Sequence, residues 1–296
     1  MSFLQDLQYY PEIYLTTSFI LGLLIGSFLN VVVYRLPKIM ENEWRTDCIE
    51  LLEDEFKTLK KQTAEAEPFN LAVPASRCPS CSHKISALEN IPVISYLVLK
   101  GACKSCKNPI SMRYPLIEFI TGILTFFAVY YFGFTLEALA ACIFTWCLIA
   151  LFLIDMDTYY LPDSIVFPLL WLGLFLSTFN VFVTPKQSII GAIVGYLSLW
   201  IFAKIYGFLT KKDAMGHGDF KLLAVFGAWF GWMYLPQIIL MSTFVGAVLG
   251  ISMIIFFKRE KQKPIPFGPY LAVAAWIALY WGEQINTTYL KISGLQ

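Results

Sequence analysis

Residues 136–157 read LEALAACIFTWCLIALFLIDMD: after Glu137 no charged residue occurs until Asp155. A bilayer crossing takes about 20 apolar residues, so this run is long enough to span a membrane, and it closes on an acid. Seven further apolar runs flank it, at 14–33, 115–132, 164–183, 187–207, 222–235, 237–257 and 265–281. The sixth and eighth runs in chain order are short or carry prolines at their ends. The whole composition agrees: 57% of the 296 residues are hydrophobic and 15% are charged, against about 25% charged in a soluble domain. The expected class is an all-α polytopic membrane protein of about eight transmembrane helices.

Lysine and arginine orient it. Twelve of the 22 basic residues lie from Arg35 to Arg113, the one large polar stretch. Lys204, Lys211, Lys212 and Lys221 gather in one short loop region, and Lys258, Arg259, Lys261 and Lys263 in another. Only Lys186 and Lys291 fall on the other side. Basic short loops mark the cytoplasmic face, so both termini are expected outside the cytoplasm. The first 13 residues hold no Lys or Arg, and the first run reads as a retained anchor rather than a cleaved signal. With a net charge of +1, no nucleic-acid surface is expected.

An acid at the edge of a membrane-length segment is costly to keep there and marks a candidate site. Asp155 is one; Asp219, in Gly216-His-Gly-Asp219-Phe-Lys221, is another, 64 positions later. Both fall at the same expected boundary, as the pair of an aspartyl protease would, with one carboxyl protonated and its neighbour ionised. Serine or cysteine chemistry needs a well-placed histidine, and the chain has only His83 and His217. The paired histidines of a membrane metalloprotease are absent as well. Plainer roles exist for the acids: Asp163, after Pro162, as a helix cap, Asp157 and Asp213 as solvated loop residues, Asp219 as a cap or a partner of Lys221.

Cys78-Pro-Ser-Cys81 and Cys103-Lys-Ser-Cys106 are two Cys-x-x-Cys knuckles, separated by the 21 residues 82–102. That spacing is close to a four-cysteine zinc pattern, in which paired thiolates converge on a tetrahedral ion. His83 reads as a surface residue of that loop. Cys142 and Cys147 lie inside the third run, where thiols pack as small hydrophobes, and Cys48 stands alone on a helix. Residues 38–62 carry a helical stripe of Met40, Trp44, Cys48, Leu51, Leu52, Phe56 and Leu59. It suits an amphipathic helix on the membrane surface or over a substrate groove, or a helix packed on the zinc module. Residues 64–74 read as a linker, and no internal repeat is expected.

The strings Gly26-Ser-Phe-Leu-Asn30-Val-Val-Val-Tyr-Arg35-Leu-Pro37, the two knuckles, Asn90-Ile-Pro-Val-Ile-Ser-Tyr-Leu and Ile110-Ser-Met-Arg113-Tyr-Pro115-Leu-Ile-Glu118 occur in that order. Leu153-Ile-Asp155, Leu161-Pro-Asp163, the Asp219 string and Ile265-Pro-Phe-Gly268-Pro-Tyr follow them. Together they resemble the type IV prepilin peptidases, bifunctional leader peptidase/N-methyltransferases of bacterial inner membranes. His217 and Ala274-Ala275 are mild departures from the family pattern. The resemblance implies catalytic aspartates at Asp155 and Asp219, chemistry at the cytoplasmic face, prepilin or pseudopilin substrates cut after glycine, and methylation of the new N-terminus by S-adenosylmethionine. It leaves the S-adenosylmethionine site, the individual pilins and the oligomeric state open. The expected division is a first span (1–33), a cytoplasmic insertion with the Cys78/Cys81/Cys103/Cys106 zinc module (34–114), an aspartyl core in the membrane (115–281) and a tail (282–296). A transporter would show intramembrane acids too, but often with inverted repeats and without need of a cysteine module.

Overall fold

The computed structural model describes residues 10–51, 69–211, 215–257, 265–292 and 294. Within them the membrane-length segments are all helices, as they must be where no water is present to satisfy backbone groups. The elements are α1 (Pro11–Leu51), α2 (Ile94–Val98), α3 (Arg113–Phe132), α4 (Leu136–Thr158), α5 (Asp163–Ser177), α6 (Pro185–Thr210), α7 (His217–Phe230), α8 (Leu235–Phe257) and α9 (Gly268–Ile292). Eight of them, all except the five-residue α2, coincide with the eight apolar runs. By length and composition five segments can cross a membrane: α1, α3, α4, α6 and Trp232–Ser252, which includes most of α8. The helices α5 and α7 are shorter, at 15 and 14 residues. The contacts divide the chain into two compact units, Met1–Tyr130 and Tyr131–Gln296.

In the first unit, α1 does not stop at the expected membrane edge. It runs on through Pro37 as one helix of 41 residues, so the stripe at Met40, Trp44, Cys48 and Leu51 belongs to the same helix as the first span. Trp44 and Leu51 are exposed, which argues against burial on the zinc module; Leu52, Phe56 and Leu59 lie outside the described residues. Small residues let α1 and α3 meet closely, as membrane helices do in place of a hydrophobic drive. A Cβ added at Gly22 would lie 2.6 Å from Thr125 Oγ1, and one at Gly26 would lie 2.7 Å from the Cα of Glu118.

The second unit is built around α7. Apart from Lys221, every residue from Asp219 to Phe230 is buried. On one side α6 approaches backbone to backbone: a Cβ on Gly227 would stand 2.0 Å from the carbonyl oxygen of Gly191, and one on Gly195 would stand 2.5 Å from that of Leu223. The Ser188 hydroxyl donates to Ala228 O at 2.6 Å across the same seam. On another side α5 opens at Gly173 to admit the Trp229 ring, whose Nε1–H donates to Leu169 O at 2.9 Å. Phe144 of α4 meets that ring at 4.6 Å between centroids, and Trp276 of α9 donates to Thr145 of α4 at 3.2 Å.

Because the atoms facing Gly227 are backbone, nothing there can turn aside. Gly227→Ala is therefore expected to cost about 3 kcal/mol or more by overpacking. Gly246→Ala, which meets only the Tyr270 ring at 3.1 Å, should cost far less. Thermal unfolding of the two variants in detergent, side by side, measures the difference.

Candidate functional site: two aspartates and a four-thiol cluster

Asp155 occupies the last turn of α4, which closes on Tyr159 in the left-handed region, its N–H bonded to Asp155 O at 2.9 Å. Asp219 lies in the first turn of α7, whose N-cap is Gly216. Both carboxylates are buried, and each lies within electrostatic reach of the other. Sequence alone placed these acids at one boundary; the fold brings them into one site.

Glycines shape the space around them. The Gly268 amide, at the start of α9, is directed at the Asp155 carboxylate. A Cβ on Gly268 would stand 2.6 Å from Asp155 Oδ2, so only a glycine lets the helix end come this near. Leu161, buried in the α4–α5 connection, fills the remaining gap: it lies 2.9 Å from a Cβ on Gly218 and 3.2 Å from one on Gly268. Three strings far apart in sequence thus interlock around one leucine. Asp155 Oδ2 ends up buried and without a hydrogen-bond partner among the described residues.

Two expectations about the neighbouring charges are corrected. Asp163 does not cap α5: Pro162 is the N-cap and no side-chain cap bond forms. Nor does Lys221 pair with Asp219. Instead Lys221 Nζ donates to both oxygens of Asp163 at 2.8 Å, linking the starts of α5 and α7. Lys221 also lies over the Phe167 ring, 5.2 Å from its centroid. The cation nearest in sequence to Asp219 is therefore engaged elsewhere.

In the first unit, the Sγ atoms of Cys78, Cys81, Cys103 and Cys106 all lie within 4.8 Å of one another. Cys78 and Cys106 are 3.8 Å apart, and Cys81 and Cys103 are 4.0 Å apart. A tetrahedron with Zn–S of about 2.3 Å has edges of about 3.8 Å, close to these two separations, so the four thiols suit one zinc ion. Backbone amides favour the thiolate at two of them, whereas at Cys106 the Asn108 amide is outweighed by desolvation and the neighbouring thiols, which push it up to about 11. The N–H groups of Ser80 and then Cys81 pull the Cys78 thiol down to about 6, and those of Cys106 and Ser105 lower Cys103 in the same way.

The knuckles are copies of each other, which corrects the expectation of no internal repeat. Cys78 N donates to His83 O, Ser82 N to Cys78 O and Ile85 N to Ser76 O; Cys103 N donates to Asn108 O, Lys107 N to Cys103 O and Ile110 N to Gly101 O. Each bond recurs 25 residues later, as does the left-handed residue after the second cysteine, Ser82 and then Lys107. Glu89 ties the copies together. It accepts from Ser86 N at 2.9 Å, faces His83 Nε2 at 3.2 Å and pairs with Lys104 Nζ at 3.4 Å. With the Ser86 amide as the main cause, its carboxyl falls to about 2. His83 is thus a partner of Glu89 and not a fifth metal ligand.

Other buried charges in this unit were not singled out from sequence. Arg35, buried in α1, donates to the carbonyls of Asn70, Leu71 and Pro74 at 2.9, 3.3 and 2.6 Å. Glu118, buried in α3, accepts the Val93 amide at 2.8 Å. Their signal was available: an arginine and a glutamate at the margins of apolar runs.

Comparison with known proteins agrees with this arrangement. Residues 20–132 match the bacterial peptidase A24 N-terminal domain, and residues 142–251 match the type IV leader peptidase family. A prepilin leader peptidase/N-methyltransferase of Pseudomonas aeruginosa is 48% identical over 296 residues, covering 100% of both chains. One from Stutzerimonas stutzeri is 49% identical over 285 residues, 96% of each chain. The chain belongs to the prepilin leader peptidase/N-methyltransferase family. A more distant member, from Legionella pneumophila, is 42% identical over 95% of this chain and 96% of its own. No solved structure matches. With its candidate spans and these relatives, the chain is a multi-pass protein of the inner membrane.

Proposed function

We propose that this protein removes the leader peptide of type IV prepilins and pseudopilins after glycine at the cytoplasmic face of the inner membrane, and then N-methylates the new N-terminal residue. The observation that carries the reading is the convergence of Asp155 and Asp219 around Gly268 and Leu161 in a family of leader peptidases. Asp155 acts as the base. The Gly268 amide at the N-terminal end of α9 supports negative charge on it, and its Oδ2 has no competing hydrogen-bond partner among the described residues. Asp219 acts as the acid, donating a hydrogen bond to the scissile carbonyl and later a proton to the leaving amine. The substrate's own apolar helix stays in the bilayer, which explains a site at a membrane edge. Lys204, Lys211, Lys212 and Lys221 cluster in the sequence around Asp219, which supports a cytoplasmic face for the site by the positive-inside rule.

The methyl transfer belongs to the first unit and its insertion at 34–114, with Arg113–Glu118 as candidate parts of the site. S-adenosylmethionine supplies an electrophilic methyl group when bound, and the protein's task is to hold a deprotonated N-terminal amine in line with it. Cys78, Cys81, Cys103 and Cys106 would hold one zinc as a structural clamp. The test uses detergent-purified protein, a prepilin and labelled S-adenosylmethionine. Cleavage after glycine followed by label in the mature pilin is expected; intact prepilin throughout would overturn the reading.

A further inference from the structure

Asn90–Leu99 is the longest uncharged stretch of the insertion between α1 and α3, and Ile91-Pro-Val-Ile-Ser-Tyr-Leu-Val-Leu99 is its apolar part. It is too short to span a bilayer; apolar runs of this size are interfacial, re-entrant or buried in a core. Burial is not what happens here. Ile94, Leu97 and Val98 of α2 are 57%, 67% and 74% exposed.

The position of the segment says what meets that face. Val93, at φ 61°, is a β-branched residue in a region that L side chains avoid. Its N–H donates to Glu118 Oε2 at 2.8 Å. Glu118 lies five residues inside α3, about 7.5 Å along its axis, with its Cα against Gly26 inside the span of α1. The start of α2 is therefore held level with residues inside two membrane helices. Non-helical backbone at such depth is tolerated only when protein groups satisfy it, and the Glu118 carboxylate does so for Val93. A buried acid inside a span, otherwise costly, acquires a reason. The exposed side of α3 at the same level is Leu116, Phe119 and Ile120, so apolar surface occurs on both elements at one depth.

We propose that Ile91–Leu99 is a re-entrant segment whose α2 inserts Ile94, Leu97 and Val98 into the acyl chains of the bilayer, anchoring the cysteine module to the membrane surface with Glu118 as its tether. The occupant of this face is phospholipid. Lys100 follows the segment directly, which suits an anionic headgroup layer directly outside the apolar one.

The test replaces Leu97, and separately Val98, with a photo-reactive benzoylphenylalanine in the full-length protein. The protein is placed in nanodiscs of phosphatidylethanolamine and phosphatidylglycerol, irradiated and analysed by intact mass. Leu116 serves as the lipid-facing reference and Lys107 as the exposed reference in the knuckles. Lipid adducts at Leu97 and Val98 are expected at a yield comparable with Leu116 and on the order of tenfold above Lys107. Yields at both positions no higher than at Lys107, or crosslinks to protein in place of lipid, would overturn the proposal. A separate arm, Glu118→Gln, keeps an acceptor for Val93 and should retain the lipid adducts, whereas Glu118→Leu should reduce them severalfold. Equal yields in both variants would remove Glu118 from the assignment.

Discussion

Asp155→Asn and Asp219→Asn are each expected to reduce leader cleavage by about 10³-fold, because general acid and base catalysis both disappear when either member of a pair is lost. An amide is nearly isosteric with a carboxylic acid, so insertion and folding should be preserved. The neighbours provide the contrast. Asp163 is engaged with Lys221 in a partly exposed ion pair, which in general contributes only about 0.2–1 kcal/mol. Asp163→Asn and Asp157→Asn should therefore leave most of the cleavage activity. Methyl transfer needs no carboxyl pair, so Asp219→Asn protein given pre-cleaved pilin should still incorporate methyl label. The measurement is a time course of cleavage and label on the same preparations. Substantial cleavage by either asparagine variant would remove the dyad. The pH profile offers a further check: two interacting carboxyls titrate as a pair, so wild-type cleavage should follow a bell-shaped profile.

Removal of the metal should have a comparably large effect on the first unit. Among the described residues, the two knuckles are organised by isolated bridges, Arg77 to Lys84 and Ala102 to Pro109, and by short turns. Such a module has little core of its own, and zinc binding then becomes folding free energy, about 10–16 kcal/mol in zinc-finger peptides. Elemental analysis should find one zinc per chain. Cys78→Ser combined with Cys103→Ser should abolish it, since the pair takes one ligand from each knuckle. Serine at Cys48, Cys142 and Cys147 should leave it unchanged: Cys48 is exposed on α1, and the other two lie within α4. Methylation should suffer at least as much as cleavage in the double variant. Zinc content unaffected by the double substitution would refute the ligand set.

Hydropathy located every long helix but misjudged their ends, for identifiable reasons. The sixth run was expected over 222–235, yet α7 ends at Phe230 because Gly231, at φ 77°, turns the chain out of the helix. Glycine, tryptophan, methionine and tyrosine are all apolar, so a hydropathy window passes over that turn unmarked. In the other direction, α1 and α9 continue beyond their apolar parts into polar sequence that no membrane criterion registers. The cysteine spacing was sufficient to identify the four thiols. The 25-residue repeat was harder to see, since CPSCSHKI and CKSCKNPI share few side chains while sharing backbone bonds. The sequence offered Asp219, two residues away, as one possible partner for Lys221, when its partner was 58 positions off, at the head of another helix. Local spacing does not report such pairs. The Gly191-x-x-x-Gly195 signal of close helix approach was present in the sequence and was missed.

The shortness of α5 has a consequence for the membrane itself. Fifteen residues extend about 22 Å, against a hydrocarbon thickness of about 30 Å, and Phe167, Trp171 and Phe175 present this short helix outward. Lipids beside it must shorten or tilt their chains, or else cover polar groups at its ends. The Asp163–Lys221 pair stands at one end of this short helix, and a bilayer thinned beside it would bring headgroups nearer the mid-plane there. A substrate helix arriving there would meet headgroups and water nearer the mid-plane than elsewhere. The peptide bond to be cut can then leave the oily layer over a shorter distance, without the enzyme having to pull it out.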